Sequence, residues 1–311
     1  MWSHWDTRIT AICTVAVILA ELAIAREWDL PVDASALRWI TIAAVIALTI
    51  NVLTARHRVL RYQERRNDRA DKIRDQVLAG NRPLEPYFVY LRPFDIDGAF
   101  VEAPRSGADE TYVEKYGIPT ASHDLETAVA LLVHGRGDLV AVTDNTGEER
   151  EAGAGHIKAP TDFWEQHVSA LAREAAGVFI VPFDFEGTAW EIDHLTKCKL
   201  LDRTLLIMPA LGPVHRFLRI PLFSRNYPEL WEAGRKRYVG LELPEYGRSG
   251  AILEIRGGRA KVLARFGRPP IRLGERTPTD SQATEVIRDR LDALARSYCD
   301  KGSAVDFMKD Q

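Results

Sequence analysis

Three segments combine residue types that can hold an anion and stack on a ring. The first, Leu91-Arg92-Pro93-Phe94-Asp95, sets a guanidinium, an aromatic face and a carboxylate close together. Guanidinium forks bind phosphate in bidentate fashion and aromatic rings stack on bases. The second is Asp144-Asn145-Thr146-Gly147, followed by Gly153-Ala154-Gly155, which reads as a turn region. The third runs from Phe183 to Glu191 as FDFEGTAWE, where Gly187 and Thr188 open a helix and Glu191 falls in its first turn. Each residue also has a plainer use: Arg92 can tie down a strand end, Asp144 can terminate a strand, Trp164 and Trp190 can be core aromatics, and Glu191 can answer the helix dipole.

What makes these segments a set is the order of the elements before them. Tyr87–Leu91, Leu139–Thr143, Val178–Pro182 and Thr204–Met208 are short and almost wholly apolar, as strands buried on both faces are. Helical spacing marks Ser122–Val133, with Ser122 as N-cap, then Asp162–Ala176 and Thr188–Leu201. The alternation predicts an α/β fold, a parallel sheet with helices on both faces. Ligands on such sheets bind beyond the carboxyl ends of the strands, where all three segments fall. After Met208 the pattern loosens. Val214–Ala233 reads as a helix broken at Pro221 and Pro228, and Arg237–Leu243 as a strand. Ala251–Phe266 reads as strands turning at Gly257-Gly258, a small β appendage. Asp280–Tyr298 has helical spacing in Ala283, Val286, Ile287, Leu291 and Leu294.

The N-terminal part follows a different pattern. Ile9–Ala25 and Trp39–Ala55 are apolar runs of roughly 17 residues each, at the lower end of what spans a bilayer as a helix. Trp2, Trp5, Trp28 and Trp39 flank them, as residues of the membrane boundary do. Arg56, Arg58, Arg61, Arg65, Arg66, Arg69, Lys72 and Arg74 follow, which by the positive-inside rule puts that side and both termini in the cytoplasm. The expected organisation is a two-helix transmembrane hairpin over 1–55, a basic juxtamembrane helix over 56–80 stopped by Gly80, Pro83 and Pro86, an α/β domain over 81–212, and an extension over 213–311. The location implied is the inner membrane, with the lipid bilayer as a partner.

Composition narrows the function classes. The 311 residues carry a net charge of -3, which argues against a nucleic-acid binder. Cys13, Cys198 and Cys299 form no CxxC pair, so no zinc site or disulfide framework is read, and no metal is expected.

The strand order, the WEQHV helix at 164–168, the FIVPFDFEGTAWEIDHL stretch at 179–195 and the LLIMP strand at 205–209 resemble bacterial membrane-anchored TIR-like domains. The resemblance covers Pro86 to Met208. It implies a flavodoxin-like/TIR-like fold, self-association, and either cleavage of NAD at the nicotinamide glycosidic bond or a scaffold role in stress or defence signalling. The TIR pattern places its glutamate four residues after the tryptophan, where this chain has His194; Glu191 directly follows Trp190. The GTAWE spacing is closer to the Gly-Thr-x-x-Glu stretch of nucleoside deoxyribosyltransferases. Both resemblances imply a nucleotide or nucleoside ligand. Under them Glu191 is the catalytic residue, because a carboxylate can stabilise an oxocarbenium-like carbon. Asp95 and Asp144 would bind ribose hydroxyls, Arg92 the diphosphate, Phe94 or Trp190 would stack on a ring, and the helix start at Gly187 and Thr188 would favour a phosphate. No cofactor beyond the nucleotide is implied. The two readings carried forward are a membrane-tethered N-glycosidic hydrolase or transferase and a non-catalytic module that assembles with copies of itself.

Overall fold

The computed structural model describes residues 34–91, 100–101, 123–143, 153–209, 227–247, 249–265 and 279–309. The chain enters on one helix, α1 (Ala34–Leu78), 45 residues long. From Gln63 onward it buries a stripe at helical spacing, Gln63, Arg66, Ala70, Ile73 and Val77. Gly80, at φ 74°, ends it: Gly80 N–H donates to Val77 O and Asn81 N–H to Gln76 O, so a left-handed glycine satisfies the last carbonyls.

A seven-stranded sheet forms the centre. Its strands are β1 (Tyr87–Leu91), β4 (Asp138–Thr143), β5 (Gly155–Lys158), β6 (Gly177–Ile180), β7 (Thr204–Met208), β8 (Ala251–Arg256) and β9 (Arg259–Arg265). Two further short strands, β2 (Phe100–Val101) and β3 (His123–Asp124), pair with each other alone. The order is β5-β4-β1-β6-β7-β8-β9, parallel from β5 through β7 and antiparallel for the last two. The chain therefore steps outward from β1 to β4 and β5, then crosses back to β6 on the other side of β1. This is a doubly wound α/β sheet with its switch point between β1 and β6.

The helices between the strands are α2 (Leu125–Val133), α3 (Trp164–Glu174), α4 (Glu186–Lys197), α5 (Tyr227–Arg237) and α6 (Thr279–Lys309). α1 packs on β5, β4 and α3, while α6 packs against α2, β6 and β9. One continuous core joins the sheet to Ala70, Ile73 and Val77 of α1, Trp231 of α5 and Ile287, Leu291, Leu294 and Tyr298 of α6. Tyr298 fixes α6 to the entry of β1: its hydroxyl donates to Pro83 O at 2.6 Å, and the Arg82 guanidinium lies 4.0 Å over its ring.

Several expectations need correction. Gly155, read as part of a turn region, begins a strand. It is the strand on which α1 sits, because a glycine there lets the helix backbone come close. A Cβ at Gly155 would lie 2.5 Å from Arg66 O and 2.8 Å from Ala70 Cβ. Replacing Gly155 by Val is therefore expected to cost about 1–3 kcal/mol in a urea titration and to speed amide exchange along α1. An unchanged midpoint would disprove this contact. The stretch 237–243 is not a strand but the end of α5 and a 3-10 turn, Val239–Leu241. The hairpin β8–β9 already lies beside β7, and Tyr238, Leu241 and Leu243 turn inward to the core instead. The hairpin does turn at Gly257-Gly258, both with positive φ, and it extends the main sheet. Val286 is exposed rather than on the apolar face of α6. The first apolar run and Ser122 lie outside the described residues. Among the described residues no helix is long and apolar enough to cross a membrane, so the expected pair of spanning helices is not found there; the second apolar run is the beginning of α1, which continues unbroken into the basic stretch.

Candidate functional site

The crevice of a doubly wound sheet opens at the carboxyl ends of the strands on either side of the switch point, here β1 and β6. Arg92, Phe94 and Asp95 follow β1 and Asp144 follows β4; all four lie outside the described residues. The segment after β6 is described throughout. Val181 and Pro182 leave the sheet, Phe183 N–H donates to Val181 O and Phe185 N–H to Phe183 O, and these two tight turns aim α4 back along the sheet. α4 has no side-chain cap, and Phe185 holds the extended conformation before it. The N–H groups of its first turn thus have no partner within the helix.

The buried face of α4 carries Thr188, Glu191, Ile192 and Leu195. Thr188 and Glu191 lie one turn apart on that face and are 2% and 5% exposed. Thr188 Oγ1 and Glu191 Oε2 are both fully buried without a hydrogen-bond partner. Burial alone pushes the Glu191 carboxyl up from 4.5 to about 8, because the charged form loses its hydration and gains nothing in return. Gly187, the other residue expected at the helix start, is exposed, and a Cβ there would meet nothing.

Trp190 and Glu191 diverge around the helix, and the structure does not bring them together. The Trp190 ring packs edge-on against Trp164 of α3, centroids 4.9 Å apart, and stacks on His194 at 5.1 Å. His194, at the position where the TIR pattern has its glutamate, is on this outer side, with Nε2 3.5 Å from Cys198 Sγ. Burial, then the nearby Arg173 guanidinium, lower its pKa.

Two groups that the sequence reading missed position this edge. The first is α5, which clamps the turn after β6. Gly234 lies against the Pro182 carbonyl, Tyr238 donates to Phe183 O at 2.9 Å, Tyr227 stacks on Phe183 at 6.0 Å, and Arg237 pairs with Asp184. Tyr238 is close enough to Glu191 to feel its charge; burial first, and the Asp184 and Glu191 charges further, hold its hydroxyl up at about 12 despite Arg237. The spacing Tyr227, Trp231, Gly234, Tyr238 in an otherwise charged helix was the available signal. The second is the buried pair Glu126–His156. Glu126 Oε1 accepts from Ala154 N–H at 2.7 Å and lies 2.8 Å from His156 Nε2, which fixes the start of β5. A cleft of about 570 Å³ lies outside α5, lined by Asp184, Glu229, Glu232, Ala233, Lys236 and Arg237. None of the expected site residues lines it. Among the described residues no cluster of three or more His, Cys, Asp or Glu is placed to hold a metal ion.

Fold and crevice define a doubly wound α/β protein with a buried carboxyl beside its switch point. Comparison of the chain with family models, curated proteins and solved structures returns no match.

Proposed function

We propose that this chain is a membrane-attached, TIR-like α/β protein that binds an NAD-like nucleotide at its switch-point crevice and cleaves the N-glycosidic bond with Glu191, in stress or defence signalling. The observation that carries the reading is the buried Glu191 carboxyl, whose Oε2 has no hydrogen-bond partner among the described residues, on the second turn of the helix that follows β6. Natural folds satisfy buried polar atoms, and those left unsatisfied concentrate where a ligand or a reaction completes them. In the reaction the C1′–N bond breaks with its electron pair going to the nicotinamide nitrogen. Water oxygen then bonds to C1′, and its proton passes to the Glu191 carboxylate and on to solvent.

The attachment rests on the N-terminal half of α1. Ile42, Ile46, Ile50 and Leu53 are exposed at helical spacing, an apolar stripe directly before the basic stretch from Arg56. A bilayer would cover that stripe and hold the basic residues at its cytoplasmic surface, which supports attachment to the inner membrane.

Because the carboxylate is the active form and Glu191 ionises at about 8, kcat/KM is expected to rise with pH through that value. The test is nicotinamide release from NAD between pH 6 and 9, followed by chromatography on the full chain in detergent. Glu191→Gln should lower release by about 100-fold or more. Absence of release from both proteins at every pH would move the reading to the second candidate, a non-catalytic module that assembles with copies of itself. One observation favours that candidate: Phe163, Trp164, Trp190 and His194 leave an aromatic surface partly exposed on the outer side of α3 and α4.

A further inference from the structure

Away from the crevice, the C-terminal end of α4 brings three reactive side chains together. Cys198 caps the helix and is half-buried, so its sulfur is held in place without being sealed in the core. Its Sγ lies 3.5 Å from His194 Nε2, one turn back on α4. The exposed Arg173 guanidinium of α3 approaches the same sulfur at 3.9 Å. A nucleophile, a base within reach of its proton and a cation beside the developing charge are what an activated thiol requires.

The base is oriented and kept neutral. Trp190 stacks on the imidazole, with centroids 5.1 Å apart and planes 9° from parallel, and is itself held edge-on by Trp164, which fixes the ring toward the sulfur. Burial, then the Arg173 charge, lower the pKa of His194, so at pH 7 the ring is neutral and has a lone pair for the thiol proton. The indole face stabilises the imidazolium once that proton has moved. The C-terminal end of a helix favours cations over anions, so a thiol placed there depends on such a base at the moment it attacks. The surroundings are cationic on balance: Arg173 lies against the sulfur, Lys199 follows it in the chain, and Lys197 pairs with Asp193. Glu165 is the other acid whose charge reaches the ring.

We propose that Cys198 is a modification site at which a small disulfide carrying carboxylates is captured as a mixed disulfide, with His194 as the base. The thiol proton passes to His194 Nε2 as Sγ attacks one sulfur of the small disulfide. The S–S bond of the reagent breaks, the new bond joins Cys198 to one half of it, and the other half leaves as a thiolate that takes the proton back from the imidazolium. Cys198 is oxidised and the reagent reduced, so no further oxidant is needed. Arg173 faces the negative charge spread over the sulfurs in the transition state. The site works without Glu191 and stands whether or not the crevice binds a nucleotide.

The test is a timed reaction of the full chain in detergent at pH 7 with dithiodipropionate, a dicarboxylate, and in parallel with cystamine, a diammonium disulfide. Peptide mass spectrometry reads the adducts at Cys198 and at Cys299, which is exposed on α6. Cys198 is expected to take dithiodipropionate at least about 10-fold faster than Cys299 does, and faster than it takes cystamine. His194→Gln should slow Cys198 by about 10-fold or more while Cys299 keeps its rate. Equal rates at the two cysteines of the wild-type chain would overturn the site, whatever the variant does. An unchanged rate at Cys198 in His194→Gln would remove the imidazole as base and sink the mechanism. Indifference of Cys198 between the two disulfides would overturn the carboxylated partner.

Discussion

Glu191→Gln is expected to make the folded protein more stable at pH 8 while leaving it nearly unchanged at pH 4.5. Burial raises the folded-state pKa of Glu191 from 4.5 to about 8. Between those values the folded chain keeps a proton that the unfolded chain has lost. The stability contributed by the neutral carboxyl is therefore complete below pH 4.5 and is lost as the pH rises through about 8. At about 1.4 kcal/mol per pH unit, the loss reaches roughly 3 kcal/mol at pH 7 and somewhat more at pH 8. Glutamine has the same shape and no proton to lose. In a domain of this size about 3 kcal/mol corresponds to roughly 6–12 °C in Tm. Thermal unfolding of both proteins from pH 4.5 to 8.5 should show curves that coincide in acid and separate steadily above it. Parallel curves would mean that Glu191 finds a partner in solution, and the site argument would lose its basis. The expected loss of nicotinamide release in the same variant gives stability and turnover opposite signs, the usual mark of a residue kept for chemistry.

The sheet was legible because its strands are continuous apolar runs with turn residues between them, a pattern that few other structures produce. Thr204–Met208 reads as the observed strand, whereas Val178–Pro182 begins one residue and ends two residues later than the observed Gly177–Ile180. β5 was not legible. Its four residues, Gly-His-Ile-Lys, lack a run of apolar side chains, and what makes them a strand is α1 lying across Gly155. That contact is set by tertiary packing between distant parts of the chain, and local propensity says nothing of it. The same limit applies at the site. The FDFEGTAWE stretch located Glu191 and Thr188 on the helix after β6, but that helix begins at Glu186 rather than at Gly187 and Thr188, so Glu191 lies in its second turn rather than its first. It could not say that Trp190 turns toward Trp164, since the side of a helix that faces a neighbour depends on where that neighbour packs. Nor could it reveal that α5, far along the chain, closes over Phe183.

That closure makes Gly234 the other position where one change should have a large effect. A Cβ at Gly234 would sit 2.0 Å from Pro182 O and 3.1 Å from its carbonyl carbon. Both atoms are backbone, in a turn fixed by successive hydrogen bonds, so neither can swing away as a side chain would. On an isolated helix Gly→Ala gains about 1 kcal/mol. Here α5 must move outward by an ångström or more, which breaks the Tyr238 hydrogen bond, separates Tyr227 from Phe183 and lets water reach buried Trp231. The clash outweighs the helix gain, and Gly234→Ala is expected to lose about 2–3 kcal/mol net, read as a lower urea midpoint with a change in tryptophan fluorescence. A second consequence ties this position to the site. Once α5 lifts, water reaches Glu191 and its carboxyl returns toward 4.5, so the stabilisation from Glu191→Gln at pH 8 should shrink in the Gly234→Ala background. Full additivity of the two changes would show that α5 does not cover Glu191, and would separate the clamp from the site.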